Sequence, residues 1–106
     1  TFDPPISSTD YLDIELDPKP ADNGRIRGYI QKEPARQLVN LQGIPTLMLA
    51  GEASYHATYD YCTSRFLAQA GVTHDFVRLE DRGILGNGHM MMCEPNNHEI
   101  ADLLLA

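Results

Sequence analysis

Basic residues are scarce in this 106-residue chain: eight Lys and Arg stand against 15 Asp and Glu, a formal net charge of −7. A polymer of phosphates or an anionic membrane surface would be repelled by such a balance. Nucleic acid and membrane are therefore not expected as partners. No apolar run approaches the length that crosses a bilayer, and no basic-then-apolar leader opens the sequence. The compartment stays open, secretion included. Cysteine is scarce too: Cys62 and Cys93 suit either a disulfide or two separate thiols, because their positions along the chain say nothing about the distance between them. The residues His56, Cys62, His74, His89, Cys93 and His98 contain no close pair at ligand spacing, so no metal is expected.

What is present suits a core. The hydrophobic fraction is 42%, and the length bounds the chain to one small domain or a part of a larger one. Residues 1–42 read as an extended, Pro- and Asp-rich segment. Pro4, Pro5, Pro18 and Pro20 favour surface-running backbone over helix. Within it, Tyr11 to Leu16 alternates, with Leu12, Ile14 and Leu16 on one side, the pattern of a half-exposed edge strand. A weak helical reading covers Pro34 to Leu41, with Gly43 as its stop.

Residues 43–106 carry stronger signals. Ile44 to Ala50 is a continuous apolar run bounded by glycines, which predicts a strand buried on both faces in a parallel sheet, its C-terminal end facing a crevice. Cys62, Phe66, Leu67 and Ala70 predict a helix over 59–70 ended by Gly71, and Thr73 to Leu79 predicts the next strand. The tail predicts a second helix capped by Asn96. A strand, helix, strand, loop, helix order implies parallel strands with His89 in the loop that leaves the second. Two such strands do not make a sheet that is covered on both sides, so the fold is expected to be incomplete without a partner chain or a missing N-terminal part.

The stretch from Gly43 to Leu104, "GIPTLMLAGEASYHATYDYCTSRFLAQAGVTHDFVRLEDRGILGNGHMMMCEPNNHEIADLL", resembles the C-terminal portion of α/β-hydrolase superfamily esterases. The most specific part is Gly86-Asn87-Gly88-His89-Met90-Met91-Met92, followed by Asn96-Asn97 and a closing helix. The resemblance implies an α/β fold, a mainly parallel sheet flanked by helices, and a carboxylic ester hydrolase of esterase or lactonase type. His89 matches the general base, and no cofactor is required. A histidine in this role needs a mobile position and a pKa near the working pH. Gly86 and Gly88 would let the backbone aim the ring, and Met90, Met91 and Met92 would pack around it or anchor the loop.

Two departures from the family pattern shape the expectation. No Gly-x-Ser-x-Gly occurs, and none of Ser7, Ser8, Ser54 and Ser64 lies on a glycine-flanked elbow. The nucleophilic serine and the oxyanion hole are thus expected on a second polypeptide, acting with this chain on a small-molecule ester. The place that holds the acid in many superfamily members is Ser54 here; Glu52 is the nearest carboxylate and is taken as the candidate triad acid, the alternative being an acid one strand earlier. Tyr55, His56 and Met90 are candidate substrate-binding residues at the same rim. Two other classes stand beside this one: a non-catalytic binding module of the same fold, and an N-terminal-threonine hydrolase using Thr1, against which Pro4 and Pro5 argue because they disfavour a paired opening strand.

Overall fold

Pro45 cannot donate to a ladder, and hydrogen-bonded strand starts only beyond it, at β5, Leu47–Ala50. The computed structural model describes residues 1–6, 13–19 and 25–106. In it β5 pairs in parallel with β6, Asp75–Arg78, with Leu47 opposite Asp75 and Ala50 opposite Arg78. The connection between them is α1, Asp60–Gln69, so this part of the chain is a strand, helix and parallel strand. A 3₁₀ turn over Leu79–Arg82 follows β6 and ends at Gly83 in the left-handed conformation. A second 3₁₀ turn, Met91–Cys93, leads into α2, Asn97–Leu105.

The expected two-sided burial of β5 is not realised within this chain. Ile44 is 51% and Leu47 is 47% exposed, and among the described residues β5 has β6 as its one strand neighbour. The apolar run is legible as strand, but its burial depends on neighbours that these residues do not contain. The interior that does form is small: Leu79, Ile84 and Ile100 are buried, with Leu49, Met91 and Leu103 packed against them. An open apolar groove of about 430 Å³ runs beside this cluster, lined by Leu49, Met91, Met92, Ile100, Ala101 and Leu104.

Residues 1–42 are more structured than an extended segment. β1, Phe2–Asp3, pairs antiparallel with β4, Gln37–Leu38, and β2, Ile14–Leu16, with β3, Tyr29–Gln31. The prolines at 4 and 5 therefore do not prevent a paired opening strand; they follow it. Tyr11 and Leu12, the first two of the six residues of the anticipated edge strand, lie outside the described residues, as do Ser7, Ser8 and Pro20. Ile14 and Leu16 are 44% and 41% exposed, so the alternation marks a strand without a buried face. The helical reading of Pro34 to Leu41 is overturned: β4 and a three-residue 3₁₀ turn, Val39–Leu41, occupy it. Pairing with β1, and the Leu38 N–H donated to Ala70 O at 2.9 Å, outweigh a weak local preference.

This segment is held to α1 mainly through polar contacts. The Gln31 N–H donates to Gln69 Oε1 and Gln69 Nε2 donates back to Gln31 O, both at 3.0 Å. The Tyr61 hydroxyl donates to Ile26 O, and buried Asp17 pairs with Arg65. Phe66 meets Phe2 edge-on at 6.2 Å. Cys62 and Cys93 are both free thiols, Cys62 buried against this segment and Cys93 exposed.

Candidate functional site

Two loops meet beyond the C-terminal end of β5. One begins at Gly51 and continues into the 3₁₀ turn Tyr55–Thr58; the other carries Gly86 to Met90. They touch as backbone. The Ala53 N–H donates to Asn87 O at 3.0 Å, and a Cβ placed on Gly51 would stand 2.3 Å from that same oxygen. Glycine at 51 is thus required by a close approach, while glycine at 86 is required by its φ of +81°. Gly88 needs no left-handed backbone; its N–H donates to Glu94 Oε1 at 2.8 Å.

The loop that carries His89 is pinned from beneath by Asn87, which is 2% exposed. The Asn87 and Asn96 amides exchange hydrogen bonds at 2.7 and 2.9 Å, and Asn87 Nδ2 also donates to Glu94. Asn96 occupies the N-cap position of α2 as its residue type suggests, but makes no side-chain cap bond there. Its amide is committed to Asn87 instead. A buried amide satisfied in this way defines a loop more sharply than apolar contact does.

On this base His89 is exposed, and its imidazole lies parallel to that of His56, 4.3 Å between centroids with 9° between planes. Tyr55 closes on the His89 ring at 5.2 Å and Tyr59 on the His56 ring at 5.0 Å. His56 Nδ1 lies 3.1 Å from Asp60 Oδ1, in the first turn of α1. The Tyr59 phenol is held above its ordinary pKa by loss of hydration first, then by Tyr55 and the Asp60 carboxylate.

The structure thus brings His89, His56 and Tyr55 together and leaves the other two candidates aside. Glu52 accepts the Gly86 N–H at 3.0 Å and ties the two loops, a role for a turn carboxylate. Met90 is 57% exposed, and of the three methionines Met91 is the one that packs against the core. Asp60 was not among the sequence candidates. Its signal was there: a carboxylate four residues after His56, at the spacing that faces two side chains on helical turns. Among the described residues no group of three or more His, Cys, Asp or Glu is placed to hold a metal ion.

Both serines among the described residues are already engaged. Buried Ser54 accepts the His56 N–H at 3.1 Å and so caps the 3₁₀ turn, and Ser64 lies 2.7 Å from His74 Nε2. The Thr1 hydroxyl lies near the Asn40 amide, at 3.4 Å.

Over 76 residues, 72% of its length, the chain is 54% identical to "Probable secreted lipase phiG" of Fungal sp. (strain ATCC 74256). It is similar to part of a fungal lipase. This likeness supports a lipase- or esterase-like family. The matched stretch spans about one-fifth of the lipase, 21% of its length. No family model matches the chain. No solved structure matches it either.

Proposed function

We propose that this chain is the histidine-bearing part of a serine esterase or lipase that acts on carboxylic esters, with His89 as general base. The observation that carries this is the placement of His89: an exposed imidazole on a loop pinned by the buried Asn87 amide, next to the C-terminal end of a parallel strand pair, where α/β folds place ligands. The likeness to a protein named as a secreted lipase supports both the ester chemistry and secretion. The serine and the oxyanion hole come from outside these residues, because Ser54 and Ser64 are bonded elsewhere and no glycine-flanked serine occurs. They are supplied by a second polypeptide or by another stretch of a longer one. The same outside part would complete a mainly parallel α/β-hydrolase sheet, covering Leu47 on β5 and Ile44 ahead of it.

In this reading His89 takes the proton of the serine hydroxyl as the oxygen attacks the ester carbonyl, then passes it to the departing alcohol. It next deprotonates the water that releases the acid. The test is a fluorophosphonate probe on the native preparation, followed by denaturing intact-mass spectrometry and an ester-hydrolysis assay. One adduct on polypeptide lying outside these residues, and a loss of several orders of magnitude in turnover for His89→Ala with the fold retained, are expected. If the preparation stays unlabelled and His89→Ala changes no activity, the non-catalytic binding module is the better account.

A further inference from the structure

We propose that His56, held by Asp60, is a positioning residue for His89. This rests on reading His89 as the base. Among the described residues no hydrogen bond restrains either nitrogen of the His89 ring; its orientation comes from the parallel stack on His56 at 4.3 Å and the tilted contact with Tyr55 at 5.2 Å. A base that must present one nitrogen to a serine needs its ring plane held. Here the plane is set by a second imidazole.

That second imidazole is itself fixed at both ends. The Ser54 hydroxyl accepts the His56 N–H at 3.1 Å and sets the backbone of the turn. At the ring, an ionised carboxylate only accepts, so Asp60 Oδ1 at 3.1 Å requires a proton on His56 Nδ1 and locks the imidazole against flipping. Both side chains are mostly covered, 28% exposed for His56 and 15% for Asp60. Glu52 does not serve this purpose, since it bonds to the Gly86 N–H. The sequence of constraints is Asp60 to the His56 plane, and the His56 plane to the His89 plane.

The experiment is steady-state ester hydrolysis by the full-length protein, with melting temperature followed for each variant. His56→Ala should lower kcat on the order of ten- to hundredfold while KM moves less than about twofold, because orientation rather than binding is lost. His56→Phe restores a flat ring to stack on and should recover most of that kcat. Asp60→Ala should behave like a milder His56→Ala. Asp60→Asn still offers an oxygen to Nδ1 and should stay near wild type. Unchanged kcat in His56→Ala overturns the proposal, and so does a loss in which KM rises and kcat does not. If Asp60→Asn falls as far as Asp60→Ala, the hydrogen bond to His56 Nδ1 is not what holds the ring, and the part given to Asp60 is overturned. An active His89→Ala would instead remove the reading beneath the proposal.

Discussion

Gly51→Ala tests how tightly the two loops of the site are coupled. The new Cβ would stand 2.3 Å from Asn87 O, 3.0 Å from Asn87 C and 3.1 Å from Gly88 O, where side-chain carbons essentially never approach closer than 3.0 Å. All three obstacles are backbone, so no side chain can turn aside. The segment that carries His89 must retreat by at least 0.7 Å to bring the shortest contact from 2.3 to 3.0 Å. Retreat lengthens the bond from the Ala53 N–H to Asn87 O and strains the Asn87 and Asn96 amide pair beneath. Overpacking of this kind costs about 1–3 kcal/mol, and the weakened hydrogen bond adds about 0.5–1.5 kcal/mol. The full-length protein should melt several degrees lower. Because a displacement near 1 Å in a reacting group can cost about a hundredfold in rate, kcat for ester hydrolysis should fall roughly ten- to hundredfold. Gly83→Ala is the control: its φ of +77° imposes strain of about 1 kcal/mol, but nothing lies within 4 Å of the added carbon. It should lower the melting temperature and leave kcat near wild type. A Gly51→Ala enzyme with unchanged kcat would refute the coupling, whatever its stability.

Asn87→Ala leaves the Asn96 amide and the Glu94 carboxylate without their buried partner and should cost about 1–3 kcal/mol, measured by chemical denaturation; a loss below about 0.5 kcal/mol would contradict the role given to that pair. Burial by itself would raise the Asp17 carboxyl, but the Lys19 N–H and the Arg65 guanidinium outweigh it and hold it below the usual carboxylate range. A depressed native pKa contributes stability above about pH 3.9, the unfolded value, and that stability is lost as pH falls through the native one. Asp17→Asn should therefore cost roughly 2–3 kcal/mol near neutrality, since half-open Arg65 is not stranded in the interior. The gap to wild type should narrow below about pH 4; a gap constant down to pH 2 would refute the assignment. Native alkylation should label Cys93 and spare Cys62 until unfolding, and a linked Cys62–Cys93 peptide in a non-reduced digest would contradict the free thiols.

Where local pattern and tertiary packing agree, the sequence was legible. The helix 60–69 lies where Cys62, Phe66 and Ala70 recur at helical spacing, and β6 lies within the alternating run from Thr73 to Leu79. It failed where long-range pairing competes with a weak preference. Val39–Leu41 is a 3₁₀ turn because β4 is drawn to β1, a partner more than thirty residues away in sequence. At β5 the apolar run reports what a strand needs and not what covers it, and among the described residues Leu47 stays 47% exposed.

The site divides along the same line. The sequence by itself determined that His89 sits on a glycine-bounded loop after the second strand, because Gly86, Gly88 and the strand pattern are local properties of the chain. Only the tertiary structure decided what surrounds that ring. The stack on His56 and the diversion of Glu52 to the Gly86 N–H join residues from separate loops, whose meeting depends on a backbone contact at Gly51. Residue type names the donors and acceptors available to a loop; which of them meet is set by the packing of one loop on the other.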